Sequence, residues 1–129
     1  MHLLIKFLII GLGGAGGAIA RFSVALLAAK LLSTRFPWGT LIANTSGSFI
    51  IGFAMAFFFQ RETFAEGGWL FLVVGFLGAF TTFSSFSLES LNLFEDGRLF
   101  AAFFNVLSNT VLCLVMVYLG TLFGRFLHS

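Results

Sequence analysis

The sequence predicts an all-α integral membrane protein with four transmembrane helices per subunit and a break in the third. Three observations carry this. Of 129 residues, 59% are hydrophobic and only 9% are charged, too few charges to cover a soluble domain of this size. Four stretches long enough to cross a hydrocarbon core of about 30 Å are free of charge or nearly so. The third of them contains GAFTTFSSFS, Gly78 to Ser87, with five hydroxyls and three phenylalanines in ten residues.

The first span covers about residues 3–32 and carries Lys6, Arg21 and Lys30. Lys6 ahead of an apolar run, with Gly17 and Ala18 following, imitates a secretory signal. Three more spans follow, so a retained first helix is expected. Gly11, Gly13 and Gly16 satisfy GxGxxG, but no βαβ unit surrounds them and no acid follows until Glu62, so a dinucleotide site is excluded. Gly13 and Gly17 form a GxxxG pair that lets helix backbones approach closely in lipid. Arg21 stands well inside the span, where a charge at the bilayer centre costs about 2.5–3.5 kcal/mol on insertion scales. It either snorkels to the interface or caps a neighbouring helix end, or it attracts an anion.

The second span covers about residues 36–60, between Arg35 and Arg61, with Trp38 placed as an interfacial anchor. Small residues recur every fourth position in two ridges, Gly39–Ala43–Gly47 and Ser48–Gly52–Ala56, which implies neighbours on two sides. Asn44 lies one turn after Thr40 in the first half of the span. An Asn in lipid must find partners, and bonding between helices is the ordinary explanation.

The third span covers about residues 67–92, with Trp69 near its start and Glu89, expected in an aqueous vestibule, near its end. An unbonded hydroxyl in hydrocarbon costs about 2–7 kcal/mol on the harsher scales. Back-bonding to a carbonyl one turn earlier hides one or two hydroxyls, not five in ten residues. Gly75 and Gly78 precede them and Thr81–Thr82 is β-branched, so a helix break is expected from Gly78 to Thr81. Lipid permits such a break only where protein or a water-filled path covers the backbone. Breaks of this kind expose carbonyls that hold cations and amides that attract anions. Phe80, Phe83 and Phe86 recur every third residue, and the positive edge of a phenyl ring can face an anion. With Asn and Ser donors nearby, the pattern suits a small, hard, hydrated anion.

The fourth span covers about residues 99–124 and carries Asn105, Ser108, Asn109 and Thr110. Cys113 is the only cysteine, so no intramolecular disulfide forms. The connections are short, at residues 33–37, 61–68 and 92–98, leaving residues 1–129 as a single four-helix membrane domain without a soluble part. That excludes ordinary cytosolic enzymology, and a scattered net charge of +2 gives no reason to expect nucleic acid. His2 and His128 sit at the ends and read as solvated. No acid lies in the middle of any span. This argues against the alternative reading, a dual-topology small multidrug-type proton-coupled transporter, which needs one.

Four spans put Lys6, Arg61 and Arg125 on one side of the membrane and Lys30, Arg35 and Arg98 on the other, three against three. The tie removes the usual orientation bias. Because four short helices make a thin wall for any pathway, the expectation is an antiparallel, dual-topology homodimer.

Gly39-Thr40-Leu41-x-x-Asn44, then Gly75-x-x-Gly78-x-x-Thr81-Thr82-Phe83-Ser84-x-Phe86-Ser87, resembles the Fluc (CrcB) family of fluoride channels. The Gly-rich first span ending in Arg21 also matches, and the likeness runs along the whole chain. The resemblance implies an antiparallel homodimer with two fluoride pores in the cell inner (plasma) membrane, giving passive export of cytoplasmic fluoride. It implies a structural sodium ion on the dimer axis, held by the backbone carbonyls of Gly78 and Thr81. Phe83 and Phe86 correspond to rings whose edges face fluoride, and Asn44 to a pore-lining amide donor. Thr40, Ser84, Ser85 and Glu89 fall at or near a polar track along the second and third spans. In the fourth span, Asn105 stands where the family commonly has Tyr and Asn109 where it commonly has Ser; both keep donors.

Overall fold

The computed structural model describes residues 1–58 and 65–127. Gln60 and Arg61, at the end of the second apolar stretch, and His128 lie outside the described residues. Among the described residues the regular structure is helical, without strands. It comprises α1 (Leu3–Leu31), α2 (Trp38–Phe58), α3 (Glu66–Trp69), a π-helical segment (Leu70–Leu77), α4 (Gly78–Phe80), α5 (Phe83–Glu95) and α6 (Leu99–Phe126). Among the described residues, four helical runs are long and apolar enough to cross a membrane: Leu3–Leu31, Trp38–Phe58, Glu66–Glu95 and Leu99–Phe126. The third joins α3, the π-helical segment, α4 and α5 across one interruption. Large apolar side chains on the outer faces of α1 and α6, such as Leu12, Ile19, Leu114 and Phe126, stay exposed, as lipid-facing residues do.

Small residues bring the backbones together. A Cβ on Gly17 of α1 would overlap the Phe76 carbonyl of the π-helical segment. The two ridges of α2 meet different neighbours. Gly39 abuts Ala25 of α1, and Ala43 is fully buried in a cluster with Leu77 and Phe80. On the other ridge, Gly52 abuts Val117 of α6, while Gly120 of α6 leaves no room for a Cβ beside the Phe49 carbonyl of α2. This backbone-to-backbone seam sets the spacing at which polar side chains of α2 and α6 can meet, and dispersion across it is what holds helices together in lipid.

The interruption falls at Thr81 (φ −84°, ψ 156°) and Thr82 (φ −153°, ψ 123°), both extended. The break expected from Gly78 to Thr81 is therefore displaced toward the carboxyl end, since Gly78 keeps helical angles (φ −60°, ψ −35°). Thr81 closes α4 by donating both its N–H (3.0 Å) and its hydroxyl (2.9 Å) to Leu77 O. Thr82 opens α5 as its N-cap, its hydroxyl oxygen accepting from Ser85 N at 3.1 Å. Gly75, expected beside the break, is helical and packs against Ile10 O and Gly13 of α1.

At the ends, Lys6 Nζ donates to Glu66, tying the start of α1 to α3. Arg98 donates to the Arg35 carbonyl, drawing two connections together.

Candidate functional site

The site is built around the interrupted backbone at Thr81 and Thr82. Asn44, on α2, grips Thr82 with both ends of its amide: Oδ1 accepts from Thr82 N at 2.8 Å, and Nδ2 donates to Thr82 O at 3.0 Å. This pairs two backbone groups that would otherwise stand unbonded in the interior, at a cost of about 1–3 kcal/mol each. It also explains the displacement of the break, because a tertiary contact fixes Thr82 as the extended residue.

The grip has a consequence for two carbonyls. In an unbroken helix Thr82 N would bond to Gly78 O, and Ser85 N to Thr81 O. Here Thr82 N goes to Asn44 Oδ1 and Ser85 N to Thr82 Oγ1. The carbonyls of Gly78 and Thr81 thus lose their helical donors. Both residues line an open groove of about 480 Å³, together with Asn44, Thr82, Phe83 and Asn109.

From Asn44 a ladder of side chains crosses to α6 and returns to α5. The second N–H of Asn44 Nδ2 donates to Asn109 Oδ1 at 3.0 Å. Asn109 Nδ2 donates to Asn105 Oδ1 at 3.0 Å and to Asn105 O at 3.1 Å. Asn105 Nδ2 donates to Ser90 Oγ at 2.9 Å, and Ser90 Oγ donates to Phe86 O at 2.7 Å. Asn44, Asn109 and Asn105 are all buried, the last completely.

A second polar pair lies one turn earlier on α2. Thr40 Oγ1 donates to Glu89 Oε1 at 2.8 Å. Glu89 Oε2 is buried without a hydrogen-bond partner among the described residues. Thr40 and Glu89 line a second cavity of about 410 Å³, with Arg35, Asn92, Asp96 and Arg98. Charged groups of both signs stand at this mouth.

The residues singled out in the sequence thus fall into separate groups. Asn44, Asn105 and Asn109 join one network. Thr40 and Glu89 form another. Ser84 and Ser85 sit beside the Thr82 hydroxyl, which donates to Ser85 Oγ at 3.1 Å and lies 3.4 Å from Ser84 Oγ. Phe83 is 78% exposed and Phe86 only 8%, their rings 5.3 Å apart at 62°. Arg21 is half-buried on α1, lines neither cavity, and has no ion-pair partner among the described residues. Two participants were not singled out: Thr82 as the gripped residue, and Ser90. Ser90 stands four residues after Phe86, where a serine on a helix ordinarily back-bonds and draws no notice.

A sequence model of the family described as CrcB-like protein, Camphor Resistance (CrcB), matches residues 8–121. A Dehalococcoides mccartyi protein named fluoride-specific ion channel FluC is 44% identical over 124 residues, covering 96% of this chain and 95% of its own. A Legionella pneumophila protein of the same name is 45% identical over 120 residues, covering 93% and 90%. One from Magnetococcus marinus, also so named, is 47% identical over 116 residues, covering 90% and 94%. The CrcB family is therefore where this chain belongs.

Proposed function

We propose that the protein is a fluoride-selective channel of the cell inner membrane, acting as an antiparallel homodimer and letting cytoplasmic fluoride leave passively. The observation that carries this reading is the interrupted third span, held open by Asn44 in a chain whose relatives are named fluoride-specific channels. A closed helix offers an ion nothing. An interruption offers donors on one side and carbonyls on the other.

On the donor side, α5 begins inside the span, and the amides of Phe83 and Ser84 in its first turn have no intrahelical acceptors. Around that start stand Ser84, Ser85 and the rings of Phe83 and Phe86, whose edges carry partial positive charge. The Asn44 N–H now on Asn109 Oδ1 is the one an anion exchanges for, because Thr82 O holds the other. Selectivity follows from pore width and donor field: fluoride is small and hard enough to gain from convergent donors, and chloride is too large. Thr40 and Glu89 mark the aqueous mouth.

On the carbonyl side, the residues fit a structural sodium ion. Gly78 O and Thr81 O are freed of their helical donors at an open groove. A single pair of carbonyls under-coordinates a cation, and a second copy related by a twofold axis supplies the same pair again. When bound, the ion offsets the partial negative charge of the ended α4 turn and cements the two copies. The equal split of Lys and Arg between the two sides supports an antiparallel arrangement.

Efflux from proteoliposomes, followed with fluoride- and chloride-selective electrodes, tests the reading. Fluoride release without a proton gradient, and without chloride release, is expected. Release that requires a proton gradient overturns it in favour of a coupled transporter.

A further inference from the structure

We propose that Ser90 is a positioning residue: as the terminus of the amide ladder, it sets the orientation of Asn44 and thereby keeps the third span open at Thr82. The inference rests on the channel reading for its significance, and on the hydrogen-bond geometry for its substance.

An Asn amide has a donor end and an acceptor end, and a flip by 180° exchanges them. Asn44 must present Oδ1 to Thr82 N and Nδ2 to Thr82 O. Its remaining N–H then donates to the oxygen end of Asn109. Asn109 in turn donates to Asn105, whose oxygen end must face it. That leaves the Asn105 nitrogen pointing at α5, fully buried, with Ser90 Oγ as its acceptor.

A serine suits that end because one hydroxyl both accepts from Asn105 and donates to Phe86 O. Without it, Asn105 Nδ2 is stranded in the interior, and the amide relieves this by flipping. A flipped Asn105 turns its nitrogen toward the Asn109 nitrogen, donor against donor. Asn109 must then flip also, and its nitrogen meets the Asn44 nitrogen. The misfit arrives at the one contact that diverts Thr82 N from Gly78 O. The same ladder closes a ring from Thr82 through α2 and α6 to Phe86, so it clamps the first turn of α5 to both neighbours.

The variants Ser90→Ala, Ser90→Cys and Ser90→Thr, each as the full chain, separate this from a general loss of stability. Ala removes the hydroxyl, Cys keeps the volume with a weak donor and acceptor, and Thr keeps the hydroxyl. The first readout is hydrogen exchange of the Thr82 backbone amide, measured by NMR on 15N-threonine-labelled protein in detergent. The second is the sodium concentration giving half-maximal fluoride efflux. Ser90→Ala should speed Thr82 exchange and raise the half-activating sodium concentration about fivefold, the factor one lost buried hydrogen bond carries. Ser90→Cys should fall between, and Ser90→Thr should restore both values. Thr82 exchange equally slow in the parent, Ser90→Ala and Ser90→Cys overturns the proposal, as does faster exchange that Ser90→Thr fails to restore. A parent with a protected Thr82 amide that releases no fluoride at any sodium concentration sinks the channel reading, and the exchange arm still decides the role of Ser90.

Discussion

Thr40 and Asn44 are one turn apart on α2, yet their surroundings differ in kind. Asn44 makes three hydrogen bonds and is the centre of a network in which each buried amide is bonded. Thr40 makes one, to a carboxylate whose other oxygen has no partner among the described residues, beside an open cavity of about 410 Å³. A satisfied buried network resists motion, because displacing a member strands polar groups at low dielectric unless a new partner, such as an entering anion, takes the freed donor. An incompletely bonded group at a polar mouth can exchange partners with water at little cost. The same helix therefore carries a fixed element and an adaptable one, a turn apart. The fixed one lies where backbone geometry must be held, and the adaptable one where a hydrated ion would arrive.

The strongest way to break this contrast is to charge its fixed member. Asn44→Asp keeps an acceptor for Thr82 N but has no donor for Thr82 O or Asn109 Oδ1. It also sets a negative charge where the anion would exchange. Two unit charges about 4 Å apart at an effective dielectric constant of about 20 repel by about 4 kcal/mol. Fluoride efflux from proteoliposomes should fall by more than about a hundredfold, the equivalent of about two-thirds of that repulsion. Flux within about threefold of the parent would show that the ion passes without using this amide.

A middle-sized effect is expected from the network's relay on α6. Asn109→Ala removes the acceptor of Asn44 and the donor to Asn105 at a buried position, without touching the grip on Thr82 directly. Side-chain hydrogen bonds between spanning helices average about 0.6 kcal/mol each, and three are lost along with packing, so a stability loss of about 2 kcal/mol or slightly more is expected. Denaturation in mixed micelles measures it. A loss below about 0.3 kcal/mol would mean that the ladder does not stiffen the site.

How far these features were legible in the sequence follows from their physical origin. The four membrane-crossing runs are a property of composition, and the absence of charge marks them directly. The hydroxyl crowd marked the neighbourhood of the break, because local polarity in lipid needs a local explanation. Its position was legible only in part, since Thr81, the last residue of the expected stretch, is extended but Thr82 beyond it is too. Thr82 rather than Gly78 is extended because Asn44, thirty-eight residues earlier, takes its backbone groups. Gly75 carried the wrong local signal, since its bareness serves the approach of α1. The π-helical segment Leu70–Leu77 is apolar throughout and has no marker of its winding. Asn44, Asn105 and Asn109 were each conspicuous, but their union depends on the crossing of α2 and α6, set by glycines such as Gly52 and Gly120. Ser90 was invisible for a related reason. Its back-bond to Phe86 O is what any helical serine would make, and its second bond exists only because Asn105 arrives from another helix.

The smallest expected effect tests the adaptable side. Thr40→Val keeps the shape of the side chain and removes only the hydroxyl bonded to Glu89 Oε1. In a closed interior that would strand a carboxylate oxygen and cost several kcal/mol, because a buried charge that loses a partner cannot be solvated. Glu89, however, is half-buried and borders the open cavity, so water can replace the lost hydroxyl. The stability change should stay within about 0.5 kcal/mol, measured in the same micellar denaturation as Asn109→Ala. The pairing of the two variants matters more than either alone. If Thr40→Val costs as much as Asn109→Ala, the mouth is as rigidly bonded as the ladder, and the division of α2 into a fixed and an adaptable turn fails. If it costs little while Asn109→Ala costs its full amount, rigidity is confined to the turn that holds the break open, and the mouth is left free to trade partners with an incoming ion.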